Sequence, residues 1–179
     1  MMTIEQLRES LPDFAKDIRL NLSTLFNHYT QSGLTVEQFY GVALAVAFSL
    51  HNHRLITAVK EEMGQDGHPA LEHAAKIAAT LMAMNNVYYR FIHLVGDKEF
   101  ASMPAQLRMN GLQSHGVEKA DFELFALAVS AINGCGLCMD SHVKQLIAHG
   151  LSKPAIQTSI RLAAVLKAVD QALTIEKIN

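Results

Sequence analysis

Apolar residues recur along this chain at spacings of three and four, and no stretch alternates cleanly at a period of two. A helix places residues i, i+3, i+4 and i+7 on one face, whereas a half-buried strand needs strict alternation. The pattern therefore predicts an all-α fold. The predicted helices cover roughly 3–11, 14–30, 36–63, 69–94, 104–110, 119–133, 135–149 and 153–177. Several carry end signals. Thr35 can cap the third helix together with Gln38, Ser152 precedes a helix led by Pro154, and Gly33, Gly150 and the region from Gly64 to Gly67 punctuate ends.

The apolar pattern also repeats on a longer scale. The run Pro69-Ala70-Leu71 to Ala78-Ala79 resembles Pro154-Ala155-Ile156 to Ala163-Ala164 at an offset of 85, and Ala43-Leu44-Ala45-Val46 matches Ala126-Leu127-Ala128-Val129 at an offset of 83. Nearly one offset held across two helices suggests a single domain of two related halves. In that reading a scaffold half (about 1–95) is joined by a connector (96–118) to an active half (119–179). The first half carries His51-Asn52-His53 where the second carries two cysteines.

Composition narrows the function classes. Half of the 179 residues are hydrophobic and 18% are charged, enough for a sizeable core. Net charge is −2 with no basic cluster, which argues against nucleic acid as a partner. No apolar stretch of about 18 residues is free of polar breaks, so no membrane span is expected. The acidic, amphipathic N-terminus does not read as a secretory signal. A cytoplasmic location is expected, with the cysteines resting mostly as thiols.

The only two cysteines stand in Asn133-Gly134-Cys135-Gly136-Leu137-Cys138, with His142 four residues further on. A disulfide that short encloses almost no chain and has little value as a structural staple. Asn133-Gly134 breaks helices, so a new helix can start with Cys135 in its first turn, where unpaired amides favour a thiolate. Cysteines at i and i+3 on a helix lie about 5–6 Å apart at Cβ, within easy reach of a disulfide. His142 shares the face of Cys138 and can take its proton, which suits Cys138 as the attacking thiol and Cys135 as the resolving one.

Glu123 is a second acid–base candidate. It stands among Phe122, Leu124 and Phe125, so it is either on the polar face or buried with a purpose. Metal binding is the rival use of the cysteines. Cys135, Cys138, His142 and His149 share one helical stripe, but His149 would lie about 10 Å along the axis from His142. Zinc bonds of about 2.0–2.3 Å do not span that gap. The other histidines read as surface or core-edge residues, and Met82, Met84, Met103 and Met109 as fillers of the core or of a subunit interface.

Glu123, eleven residues, then Cys135-x-x-Cys138-x-x-x-His142 resembles the signature of the alkylhydroperoxidase AhpD family, within the carboxymuconolactone decarboxylase-like superfamily. The similarity extends through Asp121-Phe122-Glu123-Leu124, Ala128-Val129-Ser130-Ala131-Ile132-Asn133-Gly134-Cys135 and Leu107-Arg108-Met109-Asn110. The resemblance implies an all-helical fold of two related halves, assembled as a homotrimer, with no bound cofactor. It implies thiol-dependent reduction of small hydroperoxides and of an oxidised AhpC-type peroxiredoxin. Electrons would come from dihydrolipoamide on a lipoyl-bearing acyltransferase of a 2-oxoacid dehydrogenase, and from lipoamide dehydrogenase.

Carried onto this chain, Cys138 matches the reactive thiol, Cys135 its partner and proton donor, and Glu123 and His142 the acid–base relay. One position departs. Some members have a histidine directly before the second cysteine, where this chain has Leu137, which removes part of the relay. The alternatives are a decarboxylase-like carbon–acid enzyme and a non-enzymatic oligomer whose thiols sense redox state.

Overall fold

Alanine-rich sequence lets two helices run through the middle of this molecule. The computed structural model describes residues 2–64 and 68–177, and their regular elements are all helical. In order these are α1 (Ile4–Glu9), α2 (Lys16–His28), α3 (Val36–Ser49), α4 (His53–Glu62), α5 (Pro69–Val95), α6 (Lys98–Ser102), α7 (Lys119–Ile132), α8 (Gly136–Ala148) and α9 (Lys153–Glu176). Short 3-10 turns lie at Asp13–Ala15, Tyr29–Gln31 and Asn110–Leu112. The end signal read at Gly67 lies outside the described residues. Among them, no helix is long and apolar enough to cross a membrane.

Helix α3 buries every residue from Phe39 to Ala47, and α7 buries Phe122 and the run from Leu124 to Ser130. Small side chains bring the pair close. A Cβ on Gly41 would stand 2.1 Å from Cζ of Phe125, so glycine is required at that contact. The long helices α5 and α9 pack on both, and α8 lies against α7 and α5. This arrangement puts the N-terminus of α8 beside the C-terminal half of α5.

The two central helices end alike. Each is 14 residues long, and each is followed by a residue with positive φ, His51 at 55° and Gly134 at 69°. Next comes a capping side chain. Asn52 accepts from the Leu55 amide, and Cys135 accepts through Sγ from the Cys138 amide. Gln38 of α3 donates from Nε2 to Oδ1 of Asp121 on α7 at 2.8 Å, joining positions 83 apart in sequence.

Two expectations need correction. The predicted helix over 36–63 is two helices, because the chain turns left-handed at His51 and Asn52 starts α4. Its apolar period runs through the break because both helices feed the same core. The predicted helix over 104–110 does not form. The chain there is irregular, with Gln106 at φ 54°, and α6 forms just before it, capped by Asp97. Proline's fixed φ suits a helix's first turn and an extended segment equally well. Without a capping side chain, Pro104 made no start.

Candidate active site

The site begins at the break after α7. Asn133 closes that helix, Gly134 takes a left-handed conformation that favours glycine, and the Cys135 amide donates back to the Ser130 carbonyl at 3.0 Å. Side chains of α5 clamp this turn. Asn86 Nδ2 donates to Ser130 Oγ at 2.9 Å and its Oδ1 accepts from Asn133 Nδ2 at 3.0 Å, while Arg90 Nη1 donates to the Asn133 carbonyl at 2.6 Å. Polar groups in such a place must be satisfied, and here they hold the chain immediately ahead of the cysteines.

Cys135 is therefore the N-cap of α8 rather than a member of its first turn, and Cys138 sits at the helix's third position. The two form a disulfide with Cα atoms 5.3 Å apart. Cys135 is fully buried, whereas Cys138 keeps 8% of its surface open. That difference agrees with a split between resolving and attacking thiols.

His142 lies one turn beyond Cys138. Its Nδ1 is 2.7 Å from Oε2 of Glu123, and both side chains are more than four-fifths covered, at 13% and 16% exposed. The sequence left Glu123 either on the polar face or buried with a purpose. It is the one interruption in the buried run of α7, and it faces a histidine from another helix. An ionised carboxylate can only accept, so Nδ1–H of His142 donates to it. That bond fixes the tautomer and leaves Nε2 free to take or give a proton.

All four residues singled out in the sequence are thus grouped: Cys135 and Cys138 in one disulfide, and Glu123 paired with His142 a turn away. His149 is not with them. It caps the far end of α8 and is exposed. Among the described residues, no group of three or more His, Cys, Asp or Glu side chains is placed to hold a metal ion.

A cleft of about 630 Å³ opens over Cys138, Glu123 and His142. Met82, Asn85 and Tyr89 of α5 form one wall, and Met109 and Leu112 of the connector another. Leu137, 39% exposed, also lines it. Of the methionines, Met82 is buried and Met103 is exposed.

One histidine read with the others as a surface or core-edge residue lies buried beside the site. His115 of the connector is buried and stacks on Phe122, with ring centroids 4.2 Å apart and planes 9° from parallel. Its Nδ1 accepts from the Val117 amide. Burial pushes its pKa down, against a smaller upward pull from the Glu123 carboxylate. No spacing rule links His115 to Glu123, because the connector brings them together only in the folded chain.

With this geometry in view, comparisons with known proteins can be weighed. The carboxymuconolactone decarboxylase family model matches residues 98–178, which include all four site residues. Full-length relatives extend the match. The chain is 53% identical over 175 residues to the alkyl hydroperoxide reductase AhpD of Rhodopseudomonas palustris (strain BisA53), covering 98% of this chain and 94% of that one. It is 47% identical over 173 residues to the AhpD of Coxiella burnetii (strain RSA 493 / Nine Mile phase I), covering 97% and 98%. It is 49% identical over 172 residues to the AhpD of Bradyrhizobium sp. (strain BTAi1 / ATCC BAA-1182), covering 96% and 93%. Identity of that order along nearly the whole of both partners, on an all-helical fold with a paired C-x-x-C, means that this chain belongs to the alkyl hydroperoxide reductase AhpD family.

Proposed function

We propose that the protein is an enzyme that reduces alkyl hydroperoxides through a dithiol–disulfide cycle of Cys138 and Cys135. The observation that carries this reading is the Glu123–His142 contact of 2.7 Å one helical turn from a disulfide whose Cys138 alone keeps a little open surface. Nε2 of His142 takes the proton of Cys138 in the reduced enzyme. The Cys138 thiolate attacks the terminal oxygen of ROOH; the S–O bond forms, the O–O bond breaks, and RO⁻ leaves. The alkoxide takes a proton from His142 to become ROH, and Cys138 is left as the sulfenic acid.

Cys135 then attacks Sγ of Cys138. The S–S bond forms, and hydroxide leaves and is protonated to water. Two thiol–disulfide exchanges with an external dithiol return both cysteines to thiols. The net reaction is ROOH plus a dithiol giving ROH, water and a disulfide.

The thioether and aliphatic walls of the cleft suit a dithiol on an alkyl arm, so dihydrolipoamide carried on a lipoyl-bearing acyltransferase is the proposed donor. The same exchange chemistry can serve an oxidised AhpC-type peroxiredoxin, the proposed protein partner. The reading includes a homotrimer in the cytoplasm. Leu137 offers no proton, so the relay runs through His142 alone.

The test is a hydroperoxide reduction assay comparing dihydrolipoamide, glutathione and thioredoxin as donors. Cys138→Ser is expected to abolish turnover. Glu123→Gln, which removes the charge facing Nδ1, is expected to lower kcat by about 10²-fold, the low end for a lost acid–base group. Undiminished activity in Cys138→Ser overturns the reading.

A further inference from the structure

The charged side chains around the cleft are not evenly matched. Glu123 has Nδ1–H of His142 at 2.7 Å, and Asp140 has Nζ of Lys144 at 2.6 Å, so each carboxylate lining the cleft is bonded to a donor. Lys119 lines the same cleft, is exposed, and has no ion-pair partner among the described residues. A lysine in such a place lays its stem along apolar surface and keeps its ammonium in water. Its charge therefore stands at the opening of the cleft, one helical turn along α7 from Glu123.

The fold does not require a cation there. Lys119 is the first residue of α7, where a positive charge opposes the helix dipole. The scaffold half gives the comparison. A smaller cavity of about 150 Å³ lies along the start of α3, lined 83 positions earlier by Val36 for Lys119 and Tyr40 for Glu123. The same helix start faces a cavity in both halves, and valine serves in one of them. The lysine is therefore matched to what enters the larger cleft. Thioether, tyrosyl and leucine side chains make up much of that lining, which favours an apolar chain. The volume of about 630 Å³ falls in the range of pockets that enclose drug-sized ligands.

Resting on the hydroperoxide reading above, we infer that Lys119 is a specificity-determining residue that selects alkyl hydroperoxides with an anionic head group, the hydroperoxides of long-chain carboxylic acids. The hydroperoxide end lies at Cys138, the chain along the apolar wall, and the carboxylate at the Lys119 ammonium. The attraction is open to solvent, so it acts over about one Debye length and weakens with salt. It decides which hydroperoxide is bound and leaves the S–O and O–O steps to Cys138 and His142.

The experiment uses full-length protein, reduced and freed of dithiol, in single-turnover rapid mixing. The substrates are linoleic acid hydroperoxide and its methyl ester, each below its micelle-forming concentration. Wild type is expected to prefer the acid about fivefold, near the upper end for an exposed charge pair. The difference is expected in the concentration at half-saturation rather than in the limiting rate, and it shrinks as salt is raised. Lys119→Met, which keeps most of the stem, is expected to bring the ratio to about one. Lys119→Glu turns it toward the ester, and Lys119→Arg keeps it. A wild-type ratio within twofold of one overturns the inference alone. So does a preference for the acid that survives in Lys119→Met and Lys119→Glu. A loss equal for acid and ester also overturns it, because Lys119 then acts on the chemistry or the fold. Wild-type protein that leaves both substrates and cumene hydroperoxide intact, while Cys138 still alkylates, removes the hydroperoxide reading and this inference together.

Discussion

Glu123 shows how one residue out of pattern can be read. In a nine-residue stretch of α7 every neighbour is buried core, so a carboxylate there must be solvated or matched, and the structure matches it with His142. Cys135, Cys138 and His142 were legible because their spacing places them on one turn of one helix. His115 was not, because its stack on Phe122 joins a loop to a helix. Its depressed pKa has a consequence for stability. A histidine held neutral by folding favours the native state fully above the ordinary 6.5, and that advantage is lost as pH falls below it toward the folded value. His115→Gln titrates in neither state. Thermal or urea unfolding between pH 5 and 7 is expected to show a shallower pH slope in the variant, by up to about 1.4 kcal/mol per pH unit. Equal slopes would mean that His115 protonates as easily folded as unfolded.

At the scale of elements, the decisive feature is the turn between α7 and α8, not either helix. Asn133-Gly134 was readable as a break, but the side chains that hold it come from α5, more than forty positions earlier, and nothing local predicts them. The missed break at His51 has the same origin in reverse: the pattern follows the core, and the core does not interrupt where the backbone does. Arg90 offers the sharpest probe, since its hydrogen bond goes to Asn133's carbonyl. Arg90→Met keeps much of the apolar stem and leaves the carbonyl short of a donor. A loss of about 1–3 kcal/mol is expected in urea unfolding. The rate of thiol–disulfide exchange is also expected to change, because Cys135 rides directly on that turn. Gly134→Ala forces a Cβ into the left-handed region and is expected to cost about 1–2 kcal/mol. A variant of either kind with wild-type stability would show that α8 sets its own position.

The same helix-capping turn occurs twice around the α3–α7 pair, and the cysteine pair stands in one copy only. Stepping back 83 positions from Glu123, Cys135, Cys138 and His142 reaches Tyr40, Asn52, Leu55 and Val59. The cap survives, with Asn52 doing through oxygen what Cys135 does through sulfur. The positions of Cys138 and His142 are filled by the fully buried Leu55 and Val59, and Tyr40, at the position of Glu123, is pushed up to about 12 by burial. The alanine runs suggest a repeat in the sequence; the shared cap was hidden because asparagine and cysteine look unrelated until their backbone partners are seen. If the second turn's geometry is a property of the scaffold, cysteines placed in the first should behave alike. Asn52→Cys with Leu55→Cys is expected to form a second disulfide under mild oxidation, counted by thiol titration and mass spectrometry. Stability is expected to fall by about 2–4 kcal/mol, since Leu55 leaves a cavity and Asp170 loses its hydrogen bond from Asn52. The hydroperoxide rate is expected to stay that of the original pair, because Val59 and Tyr40 supply no base or acid at working pH. Persistent free thiols at 52 and 55 in a folded variant would show that the α5 clamp, rather than the cap, brings a cysteine pair together.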